Sequence, residues 1–70
     1  MKIRYDQEAD AIYLRFREGK IAESDEIKSG LIIDYDVKGR PLAIEILHAK
    51  EILAKKPEII VDVSSNISAA

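Results

Sequence analysis

Seventy residues, 47% of them hydrophobic, with a formal net charge of −2, describe one small folded domain near the lower limit for a chain that builds its own core. Cysteine is absent and histidine occurs once, which excludes disulfides and thiolate metal sites and leaves no ligand set for a structural zinc. Acids and bases are interspersed along the chain, so nothing draws it globally to nucleic acid or anionic lipid.

Lys2 to Asp6 alternates polar and apolar residues, placing Ile3 and Tyr5 on one face of a strand. The sequence turns polar before any apolar stretch develops, unlike a signal peptide. Gln7-Glu8-Ala9-Asp10 carries turn chemistry. Ala11 to Arg17 alternates again, with Ile12, Leu14 and Phe16 on one side and Tyr13, Arg15 and Arg17 on the other, the pattern of a half-buried antiparallel strand. Glu18-Gly19-Lys20 reads as the next turn. Ile21 to Ile27 has no convincingly apolar face and reads as a short, charged edge strand. Ser29-Gly30 breaks the chain.

Leu31 to Asp36 is a strand by its β-branched and aromatic content. Asp36-Val37-Lys38-Gly39 fits a type I turn, with Asp first and Gly fourth. Pro41 stands where a strand begins, and Leu42, Ile44 and Ile46 then face inward with Glu45 outward. Tyr5-Asp6 and Tyr35-Asp36 therefore open two similar hairpins thirty residues apart, through an old duplication or, more simply, shared turn chemistry. Ala49 to Lys56 favours a short helix whose lysines complement its C-terminal dipole and which Pro57 stops. Glu58 to Val63 is β-type, with Ile59, Val61 and Val63 on one side. The longest aliphatic runs, Leu31-Ile32-Ile33 and Ile59-Ile60-Val61, are far too short to span a membrane, and a cytoplasmic protein with no membrane partner is expected.

Three groups of residues invite a chemical reading. Asp6, Asp34, Asp36 and Glu45 would converge on a hard cation if the two hairpins lay side by side. The chain lacks the ligand spacing of a calcium loop, and turn capping by Asp6 and Asp36 is the simpler reading. Tyr13, Arg15 and Arg17 on one strand face suit a protein interface better than a nucleic-acid platform, given the acidic balance of the chain. His48 with Glu45 or Glu51 lacks a nucleophile, and Glu51 three residues later fits a capping box at a helix start.

The order Tyr5-Asp6, Glu8-Ala9-Asp10-Ala11, Ile12-Tyr13-Leu14 resembles the opening of the domain-of-unknown-function family numbered 2283. Gly30, Ile33-Asp34-Tyr35-Asp36, Gly39-Arg40 and Ile44-Glu45-Ile46-Leu47 before Ala49 extend the resemblance over roughly residues 3 to 50. It implies no activity, cofactor or catalytic residue. It does imply an antitoxin-like character, since genes of this family often lie beside a small toxin-like gene. His48 departs from the Asp or Asn more usual there, which argues against a ligand or base role.

The expected fold is α+β: an antiparallel meander of four or five strands, one short helix over its apolar face, and a C-terminal β segment. Residues 1–56 form the domain and 57–70 an extension. The core is expected from Ile3, Tyr5, Ile12, Leu14, Phe16, Leu31, Ile33, Leu42, Ile44, Ile46 and Leu53. One thin helix covers such a sheet poorly, so a homodimer is expected, with Ile59, Val61 and Val63 at its interface. The leading function is a non-enzymatic interaction module that binds a small partner protein, with no cofactor. The alternatives are a carboxylate-based divalent-metal-binding protein or small hydrolase and, third, nucleic-acid binding.

Overall fold

The computed structural model describes residues 1–53 together with Ile60 and Asp62. The alternating segments form strands β1 (Lys2–Asp6), β2 (Ala11–Arg15), β3 (Glu23–Lys28), β4 (Leu31–Tyr35) and β5 (Pro41–Leu47), followed by a 3-10 turn at Ala49–Glu51. All four pairings are antiparallel, in one sheet of order β1-β2-β5-β4-β3. The sheet is therefore not a simple meander. After β2 the chain crosses the end of the sheet to reach β3 at the far edge, and β5 returns to the centre beside β2. Composition explains the placement. Every residue of β3 (ESDEIK) is exposed, as suits an edge, whereas the apolar positions of β5 have partners on both sides.

The two Tyr-Asp hairpins share more than their turns. Ile3 pairs with Leu14 and Arg4 with Tyr13 in the first, and Ile33 pairs with Ile44 and Asp34 with Ala43 in the second. Those registers coincide when thirty residues are added. The pair joining the hairpins at the centre of the sheet, Leu14 opposite Ile44, is itself thirty residues apart. Strands β1-β2-β5-β4 thus obey a quasi-twofold axis through that pair, which favours duplication over turn chemistry alone.

Each hairpin turn is closed by its aspartate, whose Oδ1 accepts two backbone amides, one of them two residues on. Asp6 Oδ1 accepts the amides of Glu8 and Ala9, both at 3.1 Å. Asp36 Oδ1 accepts those of Lys38 and Arg40, both at 2.9 Å. The type I turn expected at Asp36–Gly39 forms, with the Gly39 amide donating to the Asp36 carbonyl at 3.0 Å and Gly39 at φ 77°. Such a φ is free only for glycine.

Pairing sorts the side chains into two faces. One is an apolar grid whose rows read Ile3, Leu14, Ile44, Ile33 and Tyr5, Ile12, Ile46, Leu31. The other is mixed and polar. Among the apolar grid only Ile12 is fully buried, joined in the core by Leu42, Ala43 and Ala49. The rest are half-buried. Phe16, expected in the core, is 37% exposed, because β2 ends at Arg15 and Phe16 lies in the crossover.

The helix expected over the apolar face is replaced, among the described residues, by the short 3-10 turn, and the fold there is mostly β rather than α+β. His48 precedes the turn in the left-handed region at φ 54°, with no side-chain cap, so the capping box does not form. The turn is tied instead to the first hairpin. The Ala49 amide donates to the Asp10 carbonyl and the Lys50 amide to Asp10 Oδ1, both at 3.0 Å. It therefore packs at the strand ends, and no helical layer covers the sheet face among the described residues. The remainder of the expected helix, Ala54–Lys56, most of the C-terminal β segment, and the division into 1–56 and 57–70 lie outside the described residues.

Candidate interaction surface

On the polar face the register builds two rows across the sheet. One reads Lys2, Arg15, Ala43, Asp34, Ser24, and the next Arg4, Tyr13, Glu45, Ile32, Glu26. Cations gather at the β1–β2 side and carboxylates at the β5–β4–β3 side. Between the two lies a shallow cavity of about 250 Å³ lined by Lys2, Arg4, Tyr13, Arg15 and Glu45. Tyr13 and Arg15, expected as interface residues, share this cavity. Lys2 and Arg4 were not singled out in the sequence, although β1 read as a strand already places their side chains opposite Ile3 and Tyr5.

Arg15 is locked in place. Its Nε donates to the Arg17 carbonyl at 3.1 Å and its Nη1 to the Tyr13 hydroxyl at 3.4 Å, while Nη2 donates to the Gly19 carbonyl. The crossover after β2 thus fixes an aromatic and a guanidinium side by side. Arg17 does not join them. Its Nη2 reaches 2.7 Å to Asp36 Oδ2, which Arg40 Nε also approaches at 3.0 Å. The Arg40 amide, aided by the Lys38 amide and the Arg40 guanidinium and opposed by partial burial, brings the Asp36 carboxyl down to about 2. Asp36 is a strut linking the crossover to the second hairpin.

The four carboxylates considered for a cation are only partly brought together. Asp6 and Asp36 stand in turns at opposite ends of the sheet, at the β1–β2 and β4–β5 connections. Asp34 and Glu45 are diagonal neighbours at its centre. Among the described residues no group of three or more histidine or acidic side chains is placed to hold a metal.

The Asp34–Glu45 pair has its own chemistry. Asp34 is 1% exposed; its Oδ1 accepts the Ser24 hydroxyl at 2.5 Å, and its Oδ2 has no hydrogen-bond partner among the described residues. Burial first, then a hydrogen bond to Asp34 and the charge of Asp34, raise the pKa of the neighbouring Glu45, which favours its neutral form. A pairing of two acids in diagonal register is legible only once the β4–β5 register is known.

Asp10 is the other residue that sequence reasoning left as a plain turn position. It adopts φ 52°, which Asp tolerates better than most residues. Besides holding Lys50, its Oδ1 accepts the Tyr5 hydroxyl at 3.3 Å; burial, followed by this bond, raises the Tyr5 pKa. His48 lines a second open cavity of about 400 Å³ with Gly30, Leu31, Ile46, Leu47, Glu51 and others.

A family model described as "Protein of unknown function (DUF2283)" matches residues 2–50. No curated protein and no solved structure matches. The match covers most of the chain, and the chain belongs to that family. It spans both hairpins, Asp34, Glu45 and the whole lining of the Tyr13–Arg15 cavity. No helix among the described residues is long and apolar enough to cross a membrane.

Proposed function

We propose that this member of a family of unknown function is a non-enzymatic interaction module, working as a homodimer that presents its polar face to a small partner protein. The observation that carries the reading is the apolar grid. A sheet apolar on one face buries that face against another layer, yet among the described residues Ile3, Tyr5, Leu14, Leu31, Ile33, Ile44 and Ile46 are only half-buried and no helix lies over them. A second copy, presenting the same grid about a twofold axis, is the layer that fits without any further component.

The opposite face then serves recognition. Tyr13 and Arg15 are the residue types that dominate interface energetics, and the crossover holds both in a fixed geometry, so little side-chain entropy is lost on binding. The antitoxin-like version of this reading rests on the family resemblance. It is supported by a small domain with one apolar and one polar sheet face.

Affinity capture of the tagged protein from its native cell, with mass spectrometry of what copurifies, tests it. The expected result is a stoichiometric complex that Tyr13→Ala with Arg15→Ala abolishes while the mass of the free protein stays dimeric. A free protein with monomer mass, or a complex indifferent to both substitutions, overturns the reading.

A further inference from the structure

We infer that the outer edge of β1 is a strand-acceptor site, and that its occupant is the Glu58–Val63 run of a second copy of this chain. The inference rests on the homodimer reading above and adds how the two copies are joined.

The quasi-twofold core makes the case first. Strands β1-β2-β5-β4 repeat about the Leu14–Ile44 pair, and β3 extends this core at the outer edge of β4. The equivalent position is the outer edge of β1, which has no pairing partner among the described residues. In the first half, the chain leaves β2, passes the turn of the second hairpin through the Arg17–Asp36 contact, and the Ala22 amide then bonds the Tyr35 carbonyl at 2.8 Å to begin the β3 edge. In the second half, the chain leaves β5 and passes the turn of the first hairpin through Asp10. The β-type run Glu58–Val63 follows in the sequence.

The two segments are complementary by face. On β1, Ile3 and Tyr5 join the apolar grid while Lys2 and Arg4 join the polar face. In Glu58-Ile59-Ile60-Val61-Asp62-Val63, the odd positions are all aliphatic and the even positions carry both acids. Directly opposite residues of an antiparallel pair share a face. A register that sets Ile59, Val61 and Val63 beside Ile3 and Tyr5 therefore also sets Glu58 and Asp62 on the side of Lys2 and Arg4. A slip of one residue would reverse both matches at once. The choice of a second copy follows from Ile60, which on its own chain is 79% exposed and outside any strand. Reciprocal exchange about a twofold axis gives each β1 a partner and extends both sheets.

The absence of cysteine makes the test direct. Arg4 is exposed, so Arg4→Cys leaves packing intact, as an unchanged thermal melt verifies. Chains carrying Arg4→Cys are mixed with chains carrying Glu58→Cys, Ile60→Cys or Asp62→Cys, with Ile59→Cys and Val61→Cys as opposite-face controls, and oxidised gently. At least one even-numbered partner should give a covalent heterodimer about tenfold above the controls, because opposite Cβ atoms lie about 4.5–5.5 Å apart on one face. The double variant Arg4→Cys/Ile60→Cys should give covalent dimer. An intramolecular bond in that variant would instead place the segment on its own chain and overturn the inference. Equal yields at odd and even positions, or none, overturn it as well. Light scattering of the unmodified protein separates the two claims: a dimer that fails to cross-link sinks the strand exchange alone, and a monomer sinks both.

Discussion

Replacing Glu45 by methionine should reverse its effect between acid and alkaline solution. The substitution keeps the length of the side chain and removes the carboxyl beside Asp34. Asp34 is 1% exposed and its Oδ2 has no hydrogen-bond partner among the described residues, so a hydrogen bond donated by the neutral Glu45 would contribute about 1–3 kcal/mol, which the variant loses. For a domain of this size, whose whole stability is on the order of 4–10 kcal/mol, that is a large fraction. It corresponds to a fall in melting temperature of about 4–24 °C. The pH dependence follows from the raised Glu45 pKa. Its folded form binds the proton more tightly than the unfolded chain, so the wild-type benefit is full below the ordinary value of 4.5 and is lost as pH rises through the folded value. At alkaline pH the wild type carries an ionised Glu45 that burial and the charge of Asp34 disfavour, so the methionine variant should equal or exceed it. Glu45→Gln keeps an N–H donor at every pH and should flatten the curve. Thermal melts of the three proteins between pH 4.5 and 9 are the assay. A methionine variant that tracks the wild type throughout, or a glutamine variant with the wild-type slope, would refute the coupling of Glu45 to Asp34.

Other consequences are simpler to measure. Leu42→Ala, at a side chain with no exposed surface, should cost about 2–5 kcal/mol in urea unfolding, and a loss under 1 kcal/mol would mean that the crossover does not pack on it. Asp10→Ala removes the acceptor for Tyr5 and Lys50 and should destabilise by about 1–3 kcal/mol, with faster amide exchange at Lys50 as its signature. The Asp36 carboxyl should titrate with a midpoint near 2 rather than its ordinary 3.8 when followed by carbonyl chemical shift. A depressed folded pKa means that its contribution is present above the unfolded value and is lost as pH falls toward about 2, so Asp36→Asn should remove that part of the acid transition.

Local patterns that need no long-range information were legible in the sequence. Period-two alternation marked β1, β2 and β5, β-branched and aromatic content marked β4, and the Asp-x-x-Gly spacing marked the turn at Asp36–Gly39. The strand order was not legible, because β2 pairs with β5 rather than with its sequence neighbour β3, a choice settled by which strands carry apolar residues enough to sit centrally. Arg17 was misplaced for a related reason. Alternation carried on past Arg15, but the strand ends there and the guanidinium turns to Asp36. Helix propensity in Ala49–Lys56 was outweighed at its start by two amides held by Asp10 and by His48 in the left-handed region. Of the candidate site, Tyr13, Arg15, Asp34 and Glu45 could be named as outward residues. Their grouping, with Lys2, Arg4 and Ser24 added, depends on cross-strand register that alternation alone does not contain. The thirty-residue recurrence was the strongest clue available, and the matched registers give it structural meaning.

The central claim is that this sheet is completed by a second copy of itself. Multi-angle light scattering of the full chain at tens of micromolar decides it, since the protomer mass is 7.9 kDa and dimerisation doubles it. The account predicts the dimer mass, held on dilution until unfolding begins. A mass of one protomer, with a cooperative melt showing the chain folded, would contradict it.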